Sequence, residues 1–408
     1  MEGKTKVNAK PQFRLCKEDG KTGARTGCIT TSRGVTAETP FGLVMTRKGL
    51  PGYLTMDNLK QINGVKGLHV CASHFFDRSG LGLRDGRPLS EVMGQEEDSP
   101  VLVFCGLRDP VRFNLNLYPA VGSGNISVET EAGVTTACQD SYMRFVKEAQ
   151  PDFCLSLSDD IMNCNGKKRR AKAVKRTSEW LGESLNEFGG SGEELKSVGL
   201  IASILATERA EDNLRQAQAA AAASSDPSVV GYAIMGLGLG ESEESRRGAL
   251  LSICGQLSKD KVRYTSGPST PIDLLRTIEC GIDVVDTGFV NELTACGMAM
   301  VFPTDREGVP DPEVEDGFNL NLWSDEFIHD QRPLKENCEC YTCRNGFSRG
   351  YIHHLLECRE LLAEVLLEFH NTHHMCSFMK TIRTTIEEGV FSEYTEEFQK
   401  SYTINTTS

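Results

Sequence analysis

The sequence predicts an α/β protein with a (β/α)8 TIM barrel, a β-rich segment before the barrel and a helical subdomain after it. Three observations predict this arrangement. Short apolar runs alternate with helical patterns over residues 99–286, and cysteines cluster near residue 340 ahead of a further helical pattern. The length of 408 residues suffices for one large barrel or for two or three domains.

The composition excludes several classes of protein. Hydrophobic residues make up 39% and charged residues 25% of the chain, which is typical of a folded protein rather than a disordered one. The formal net charge of −13 argues against non-specific nucleic-acid binding, so DNA is not a predicted partner, and any RNA site has to be a local basic patch.

The chain is predicted to be cytoplasmic. It has no apolar run of 18 residues, so no transmembrane segment is predicted, and the start MEGKTKVNAKPQFRLCKEDGK lacks the apolar core of a secretory signal. Its 15 cysteines are scattered, and in a reducing compartment they do not form a disulfide framework.

Residues 1–98 are predicted to form β strands that lead into the barrel, because SRG, TPFG and LPG are turn signals. The barrel body is predicted over 99–301. Its first strands are SPVLVFCG and PDFCLSLS, and the second is followed by the basic helical stretch KKRRAKAVKRTSEWLGESL. The next strand, SVGLIASIL, precedes the helical run ATERAEDNLRQAQAAAAA.

Residues 231–286 give the clearest pattern. The strand GYAIMGLG, a helix, the strand VRYTSG, a second helix and the strand IDVVD make two βαβ units, so their strands are predicted to be parallel. Thr270 is a helix N-cap, Pro271 stands in the first turn, and Gly281 ends that helix. At least six such strands favour a closed barrel over an open sheet, although periodicity alone does not separate the two. GLGLGES lacks the G-x-G-x-x-G spacing, so no dinucleotide site is predicted.

Residues 302–337 are acidic and contain several prolines, so an exposed connecting loop is predicted there, followed by a helical subdomain over 338–408. CECYTC places Cys338, Cys340 and Cys343 within six residues, and a helical stretch leads from them to His370 in EFHN. Three thiolates and one imidazole complete a tetrahedral zinc shell with no position for water. One structural zinc ion per chain is therefore predicted.

Other histidines are weaker candidates for the metal site. His373 and His374 follow His370 by three and four residues and share its helix face, which makes them alternative ligands. His353 and His354 are adjacent on a helix, so their side chains point about 100° apart and both cannot face one ion.

Three long motifs carry a resemblance to a known family. CECYTC with SRGYIHHLLECRELLAEVLLEFHN closely resembles the zinc motif of the tRNA-guanine transglycosylases. GYAIMGLGLGES resembles that family's strand and loop at the base-binding pocket, and VRYTSGPSTPIDLLRTIECGIDVVD is similar to its last barrel segments. The resemblance implies an interrupted TIM barrel, one zinc ion, dimerisation, tRNA as a partner, and exchange of a guanine at the wobble position for a 7-deazaguanine, which is queuine in eukaryotes.

The sequence departs from the family at the nucleophile. The family has an aspartate in a Phe-Asp-Cys motif that precedes a Pro-Thr-Arg block, and the matching text here is VVDTGFVNELTACG. Asp286 keeps the place of the nucleophile at the end of a barrel strand. The residues expected just after it are replaced by Val290, Asn291, Glu292 and Ala295.

The acid-base and base-reading positions depart as well. Phe104 in PVLVFCGLRD stands where the family has its general acid-base aspartate, and a phenylalanine cannot transfer a proton. The aspartate that reads the base corresponds to Ser158 in LSDD, or to Asp159 if the alignment shifts by one residue.

The pocket strand has lost the family's glutamine and glycines, and Leu205, Ala206 and Thr207 take their places. Their bulk is predicted to fill the space that a purine needs. Gly236 is retained, with Met235 in place of its glycine neighbour.

This combination of a degenerate pocket and an intact zinc motif resembles a non-catalytic accessory subunit of the family's eukaryotic heterodimeric enzyme. The resemblance implies a catalytic subunit as the partner, a homodimer when the chain is alone, and peripheral association with the mitochondrial outer membrane beside a cytoplasmic location. Two alternatives stay open: an active transglycosylase that uses Asp286, and a zinc-stabilised interaction protein without an RNA role.

The best candidate for RNA contact is KKRRAKAVKR, which holds seven basic residues among ten. The run contains no aromatic residue, so it would bind phosphates rather than stack bases. A solvated helix face is the alternative interpretation. The predicted RNA-binding residues are Lys167, Lys168, Arg169, Arg170 and Lys172.

Overall fold

A computed structural model of the chain describes residues 10–76, 83, 87–95, 100–109, 124–130, 133–161, 166–306, 314 and 318–403. The predicted domain boundary at residues 98 and 99 lies outside these residues, as do 307–313 and 315–317 of the predicted acidic loop.

The strands, in chain order, are β1 (Gln12–Glu18), β2 (Arg25–Thr30), β3 (Thr36–Thr39), β4 (Phe41–Arg47), β5 (Leu50–Pro51), β6 (Gly67–Cys71), β7 (Leu102–Gly106), β8 (Asn125–Thr130), β9 (Gly133–Cys138), β10 (Phe153–Leu155), β11 (Gly199–Leu205), β12 (Val229–Met235), β13 (Val262–Thr265), β14 (Val284–Asp286), β15 (Met298–Met300) and β16 (Asn319–Asn321). The helices are α1 (Met56–Leu59), α2 (Leu89–Val92), α3 (Gln139–Ala149), α4 (Lys167–Gly190), α5 (Ala210–Ala223), α6 (Glu243–Cys254), α7 (Pro271–Glu279), α8 (Gly288–Ala295), α9 (Tyr341–Arg344), α10 (Arg349–Glu357), α11 (Leu362–Glu388) and α12 (Phe391–Thr403).

Eight parallel strands close into a barrel in the order β4, β6, β7, β10, β11, β12, β13 and β14. The last strand, β14, returns to pair with β4, with Val284 opposite Phe41 and Asp286 opposite Leu43. Closure confirms the predicted (β/α)8 barrel and excludes the open sheet, which would leave β4 and β14 as unpaired edges.

The local signals in the second half of the barrel act as predicted. The Thr270 hydroxyl accepts a hydrogen bond from the backbone N–H of Asp273 at 3.1 Å, and Pro271 opens α7. The sequence-predicted strands over 199–286 are the observed β11 to β14, and α5, α6 and α7 connect them. Each strand therefore brings its carboxyl end to the same face of the barrel.

The barrel begins earlier in the chain than the predicted body of 99–301. Its first two strands, β4 and β6, lie within the segment 1–98, after the β-rich sheet that β1, β2 and β3 form. This antiparallel sheet covers the amino-terminal end of the barrel, since Ile29 and Ala37 pack into the inner cluster of barrel side chains. The guanidinium of Arg25 also pairs with the buried carboxylate of Asp283, at 2.9 and 2.5 Å.

The C-terminal helices join two hydrophobic cores. Leu366 and Leu367, near the start of α11, belong to a core formed with β15, β16 and α10. Phe378, Met379 and Ile382, further along the same helix, belong to the main core between the barrel and its outer helices. The helical region 338–408 thus contributes to the barrel as well as to the metal-site end. None of the described helices is both long and apolar enough to cross a membrane.

Candidate metal centre and barrel cavity

The structure brings together all four predicted metal ligands. Cys338, Cys340, Cys343 and His370 each offer a ligand atom, and these atoms all lie within 4.8 Å of one another. The Nδ1 atom of His370 is 3.7 Å from the sulphur of Cys338 and 3.5 Å from the sulphurs of Cys340 and Cys343. A tetrahedral zinc ion with ordinary bond lengths would separate sulphur from nitrogen by about 3.6 Å. The donor set therefore fits zinc.

The surroundings of His370 also suit a metal ligand. Its Nε2 atom donates to the carbonyl oxygen of Met300 at 2.8 Å, which leaves Nδ1 free of a proton and aimed at the three sulphurs. Three thiolates around a dication carry one net negative charge. Burial lowers the pKa of the nearby Lys335 ammonium group, although the charges of Asp305, Cys338 and Cys343 oppose this effect.

The alternative histidines have other contacts. His374 is buried with its ring edge-on to Phe302 at 4.4 Å, outside the four-residue cluster. His353 lies within hydrogen-bond distance of the carbonyl oxygen of Leu322, at 2.9 Å. The choice of His370 over these residues therefore agrees with the geometry.

A second group, Cys71, His74 and Asp109, also places three ligand atoms within 4.8 Å of one another. The Nδ1 atom of His74 accepts the backbone N–H of Lys48 at 3.4 Å, and its Nε2 atom faces the carboxylate of Asp109 at 3.2 Å. Each ring nitrogen of His74 thus already has a neighbour within hydrogen-bond distance, and we propose no metal ion at this group.

A cavity of about 210 Å³ opens at the carboxyl ends of the barrel strands. Among the described residues, the carboxylates that line it are Asp160, Asp286 and Glu292, and the other polar or aromatic lining residues include His69, Arg108, Ser158 and Tyr264. Its position on this face is the one at which α/β barrels bind their ligands.

Asp286 stands at the end of β14 with its carboxylate on the cavity. That carboxylate accepts the backbone N–H groups of Gly267 and Gly288, each at 3.2 Å. Burial raises the pKa of Asp286 to about 7, although the two hydrogen bonds oppose this effect. His69 is neutral on the same cavity wall, because burial lowers its pKa to about 4.

Phe104 lies in the barrel core, outside the cavity lining. Its ring stacks on Phe153 with centroids 4.3 Å apart and on Tyr264 at 6.3 Å, and the side chain is fully buried. Tyr264 lines the cavity, so Phe104 packs behind the cavity wall. No proton can be transferred from this position by its side chain.

The polar residues of the LSDD segment divide between the cavity and α4. Ser158 and Asp160 line the cavity, and the Ser158 hydroxyl donates to the Asp160 carboxylate at 2.7 Å. Burial raises the pKa of Asp160. Asp159 points away from the cavity and pairs with arginines of α4. Ser158 and Asp160 thus face the cavity, whereas Asp159 faces α4.

The predicted filling of the pocket by Leu205, Ala206 and Thr207 is wrong. None of the three is among the described residues that line the cavity. Leu205 packs against Ile161 and the buried face of α4 instead. Asp160 was not singled out from the sequence, although it follows a barrel strand, and position at the carboxyl end of a strand is the signal that could have found it.

The basic run forms the first turns of α4, and its residues divide into two groups. Lys167, Lys168 and Lys172 are exposed to solvent. Arg169 pairs with Asp159, and Arg170 pairs with Glu208, which precedes α5, and with Asp212 of α5. The structure therefore leaves three of the five predicted RNA-binding residues available for phosphates, and the two arginines hold α4 to the barrel.

Comparison with known protein families agrees with this architecture. The chain belongs to the family described as TGT, queuine tRNA-ribosyltransferase, whose model matches residues 19–404. The match extends from the amino-terminal sheet through the barrel and the metal centre to α12.

Individual relatives are named more narrowly. The chain is 28% identical over 417 residues to the queuine tRNA-ribosyltransferase accessory subunit 2 of Xenopus tropicalis, covering 93% of this chain and 97% of the relative. It is 29% identical over 426 residues to the accessory subunit 2 of Homo sapiens, covering 96% and 97%. It is also 28% identical over 397 residues to a queuine tRNA-ribosyltransferase of Dehalococcoides mccartyi, covering 96% and 93%.

Proposed function

We propose that this chain is the non-catalytic accessory subunit of a heterodimeric queuine tRNA-ribosyltransferase. In this role it binds the catalytic subunit, helps to position tRNA, and leaves the exchange of guanine for queuine at the wobble position to its partner. The names of the accessory-subunit relatives support the proposal. The proposed compartment is the cytosol, with peripheral association at the mitochondrial outer membrane.

The observation that carries the proposal is the aromatic barrel core at the acid-base position. Phe104 is stacked between other rings behind the cavity wall. A missing general acid-base lowers the rate typically by about 10²–10⁴-fold. Asp286 retains the position of the nucleophile, and Arg108, Asp160 and Glu292 line the same cavity. The proposal therefore depends on the acid-base position and not on the charge of the cavity.

The proposed contact with the catalytic subunit is the metal-site end of the molecule. Large apolar side chains are exposed there on and between β16, α10 and α11, and exposed aromatic and leucine side chains near a folded core are typical of protein interfaces. These residues are Trp323, Ile328, Tyr351, Leu361 and Leu362. Leu361 is the most exposed of them, at 65%. The proposed zinc ion stabilises this surface by holding the Cys338–Cys343 loop against α11.

The proposed contact with tRNA is the exposed lysine group of α4. A helix that presents ammonium groups without aromatic neighbours can neutralise phosphates of any sequence. Such a contact positions RNA and does not read its bases. Positioning of the tRNA is thus the contribution that a non-catalytic subunit can make to its catalytic partner.

A second candidate function is that of an active transglycosylase, and the open cavity favours it. Its volume of about 210 Å³ can accept a small heterocycle, and the Asp286 carboxylate is on its wall. The relative from Dehalococcoides mccartyi is named as the transferase itself.

Exchange of labelled guanine or queuine into tRNA separates the two candidates. The assay compares the purified chain, a catalytic queuine tRNA-ribosyltransferase subunit, and the mixed complex. We expect no exchange by this chain alone, exchange by the mixture, and nearly unchanged exchange when the mixture contains Asp286→Ala. Exchange by the isolated chain that Asp286→Ala abolishes would establish the active transglycosylase instead.

A further inference from the structure

We infer that Asp159 is a positioning residue, which fixes the exposed lysines of α4 relative to the barrel cavity. The lysine face consists of Lys167, Lys168 and Lys172. The inference rests on the RNA contact proposed above. In it, Asp159 and Arg169 do not touch the RNA but hold α4 in the position from which its lysines do.

Asp159, in the segment that follows β10, contacts α4 at three points. Both carboxylate oxygens accept from the guanidinium of Arg169, at 2.7 and 2.9 Å. One oxygen also accepts from Arg176 at 3.1 Å, and the backbone N–H of Asp159 donates to the hydroxyl of Thr177 at 3.1 Å. The Asp159 side chain is completely buried, whereas that of Arg169 is 29% exposed. Two-point pairing with a planar guanidinium fixes orientation as well as distance.

The start of α4 needs such a contact, because its own sequence opposes helix formation there. Four basic residues occupy the first turn, 167–170, where the positive end of the helix dipole disfavours cations. Gly166 is the N-cap, its first turn has no acidic residue, and no side chain caps it. The buried carboxylate of Asp159 supplies the compensating negative charge from another part of the chain.

The same carboxylate ties the helix to the cavity. Ser158 and Asp160, the two neighbours of Asp159 in sequence, line the cavity. The cavity wall and the lysine face are therefore attached to the two sides of one short segment. A phosphate backbone held by the lysines would keep a fixed distance from the cavity only while Asp159 holds α4.

A double-mutant cycle on the heterodimer with its catalytic partner tests the inference. The first arm replaces Lys167, Lys168 and Lys172 by Gln and measures tRNA affinity at several salt concentrations. The dependence of log affinity on log salt should flatten by about 0.7 to 0.9 for each phosphate that is no longer neutralised. The second arm makes the same replacement in an Asp159→Asn background. There the lysine replacements should change the salt dependence by less than half as much, because the lysines are no longer held in place.

A matched control separates positioning from general stability. Asp152 is a buried aspartate that pairs with Arg33 and accepts the backbone N–H of Val103, at the other end of β10. In an Asp152→Asn background the lysine replacements should act as fully as in the unmodified chain. If Asp159→Asn does not give a folded heterodimer, Arg169→Met replaces it in the cycle, since it removes one side of the contact and leaves Arg176 paired.

The outcomes have distinct meanings. Equal effects of the lysine replacements with and without Asp159 would overturn the positioning role and leave the RNA contact intact. No effect of the lysine replacements in any background would overturn the RNA contact itself and, with it, this inference. A disappearance of the lysine effect in the Asp152→Asn control as well would assign the result to stability and likewise overturn the positioning role.

Discussion

At the scale of single residues, the metal ligands show how much a short motif can specify. Three cysteines within six residues leave few arrangements other than a loop around one ion, and a Cys3His set points to zinc. The sequence could not show that Nε2 of His370 donates to the carbonyl of Met300, because that contact joins residues 70 positions apart. The clustering of these four side chains was thus predictable, and the hydrogen bond that orients the histidine was not.

Cys340→Ser should lower the zinc content well below one ion per chain and loosen the end of the molecule that holds it. Structural zinc contributes on the order of 10–16 kcal/mol in small zinc domains, and Cys340 is the most buried of the three sulphur ligands. Elemental analysis and thermal unfolding measure the two effects. Cys358→Ser, at an exposed cysteine on the same subdomain, should leave both unchanged. An unmodified protein with no zinc after metal-free purification and zinc addition would contradict the assignment.

Asp286 makes folding stability depend on pH. Its pKa is about 7 in the folded chain and near the ordinary 3.8 when unfolded, so the folded state holds a proton that the unfolded state releases between these values. Stability should therefore fall as pH rises from about 4 to about 7, by a few kcal/mol for a group buried to this extent.

Asp286→Asn removes this dependence. The amide offers one acceptor oxygen to the two backbone N–H groups, but the resulting penalty is the same at every pH. The difference in free energy of unfolding, variant minus unmodified chain, should consequently become more positive from pH 5 to pH 8. Denaturant unfolding at both pH values measures it. A difference that stays constant would show that Asp286 is ionised throughout this range.

At the scale of elements, α4 shows what a charge pattern leaves unspecified. The run KKRRAKAVKR predicted a basic helix, and the helix is there. Arg169 and Arg170 are turned to carboxylates of other elements, while the lysines face solvent. The positions of Asp159 and Glu208 in the folded chain decide which basic side chains are free to contact RNA. The local sequence pattern does not predict those positions.

Replacing Lys167, Lys168 and Lys172 by Gln should weaken tRNA binding by the heterodimer most strongly at low salt. Counterion release accounts for this, since each phosphate that a lysine no longer neutralises makes the affinity less dependent on salt. A control with the same change in charge replaces the exposed Lys259, Lys380 and Lys400, which lie outside α4, and should leave the salt dependence nearly unchanged. An equal weakening in both variants would attribute the effect to net charge rather than to α4.

The exposed leucines at the start of α11 should matter for assembly. Leu361→Ser with Leu362→Ser removes apolar surface from the proposed contact with the catalytic subunit. The heterodimer should therefore bind more weakly and begin to dissociate at a higher protein concentration. Leu214→Ser with Leu251→Ser is the matched control, because these leucines are similarly exposed on α5 and α6. Analytical ultracentrifugation of both variants with the partner measures the difference. Equal dissociation would place the contact elsewhere.

At the scale of the whole molecule, the barrel was predictable from its second half, where caps and alternating elements repeat clearly. Its first strands were harder to recognise, because β4 lies among turns and pairs with β14 across about 240 positions of sequence. The cavity was misjudged for a related reason. Leu205 fits a pocket-filling role in a one-dimensional alignment, but in the barrel its side chain packs toward α4.

The helix α11 gives the molecule a mechanical property. It runs for 27 residues, about 40 Å, without glycine or proline, and is buried along most of its length. His370 lies in its third turn. Beside it, Glu368 accepts from Asn291 of α8 at 2.8 Å, and Asn371 donates to Thr294 of α8 at 3.1 Å. Phe289 and Glu292 of α8 line the cavity. An error in the placement of this part of α11 at the metal site therefore shifts the cavity wall as well, so the tolerances of the two are shared even though no ligand is common to both.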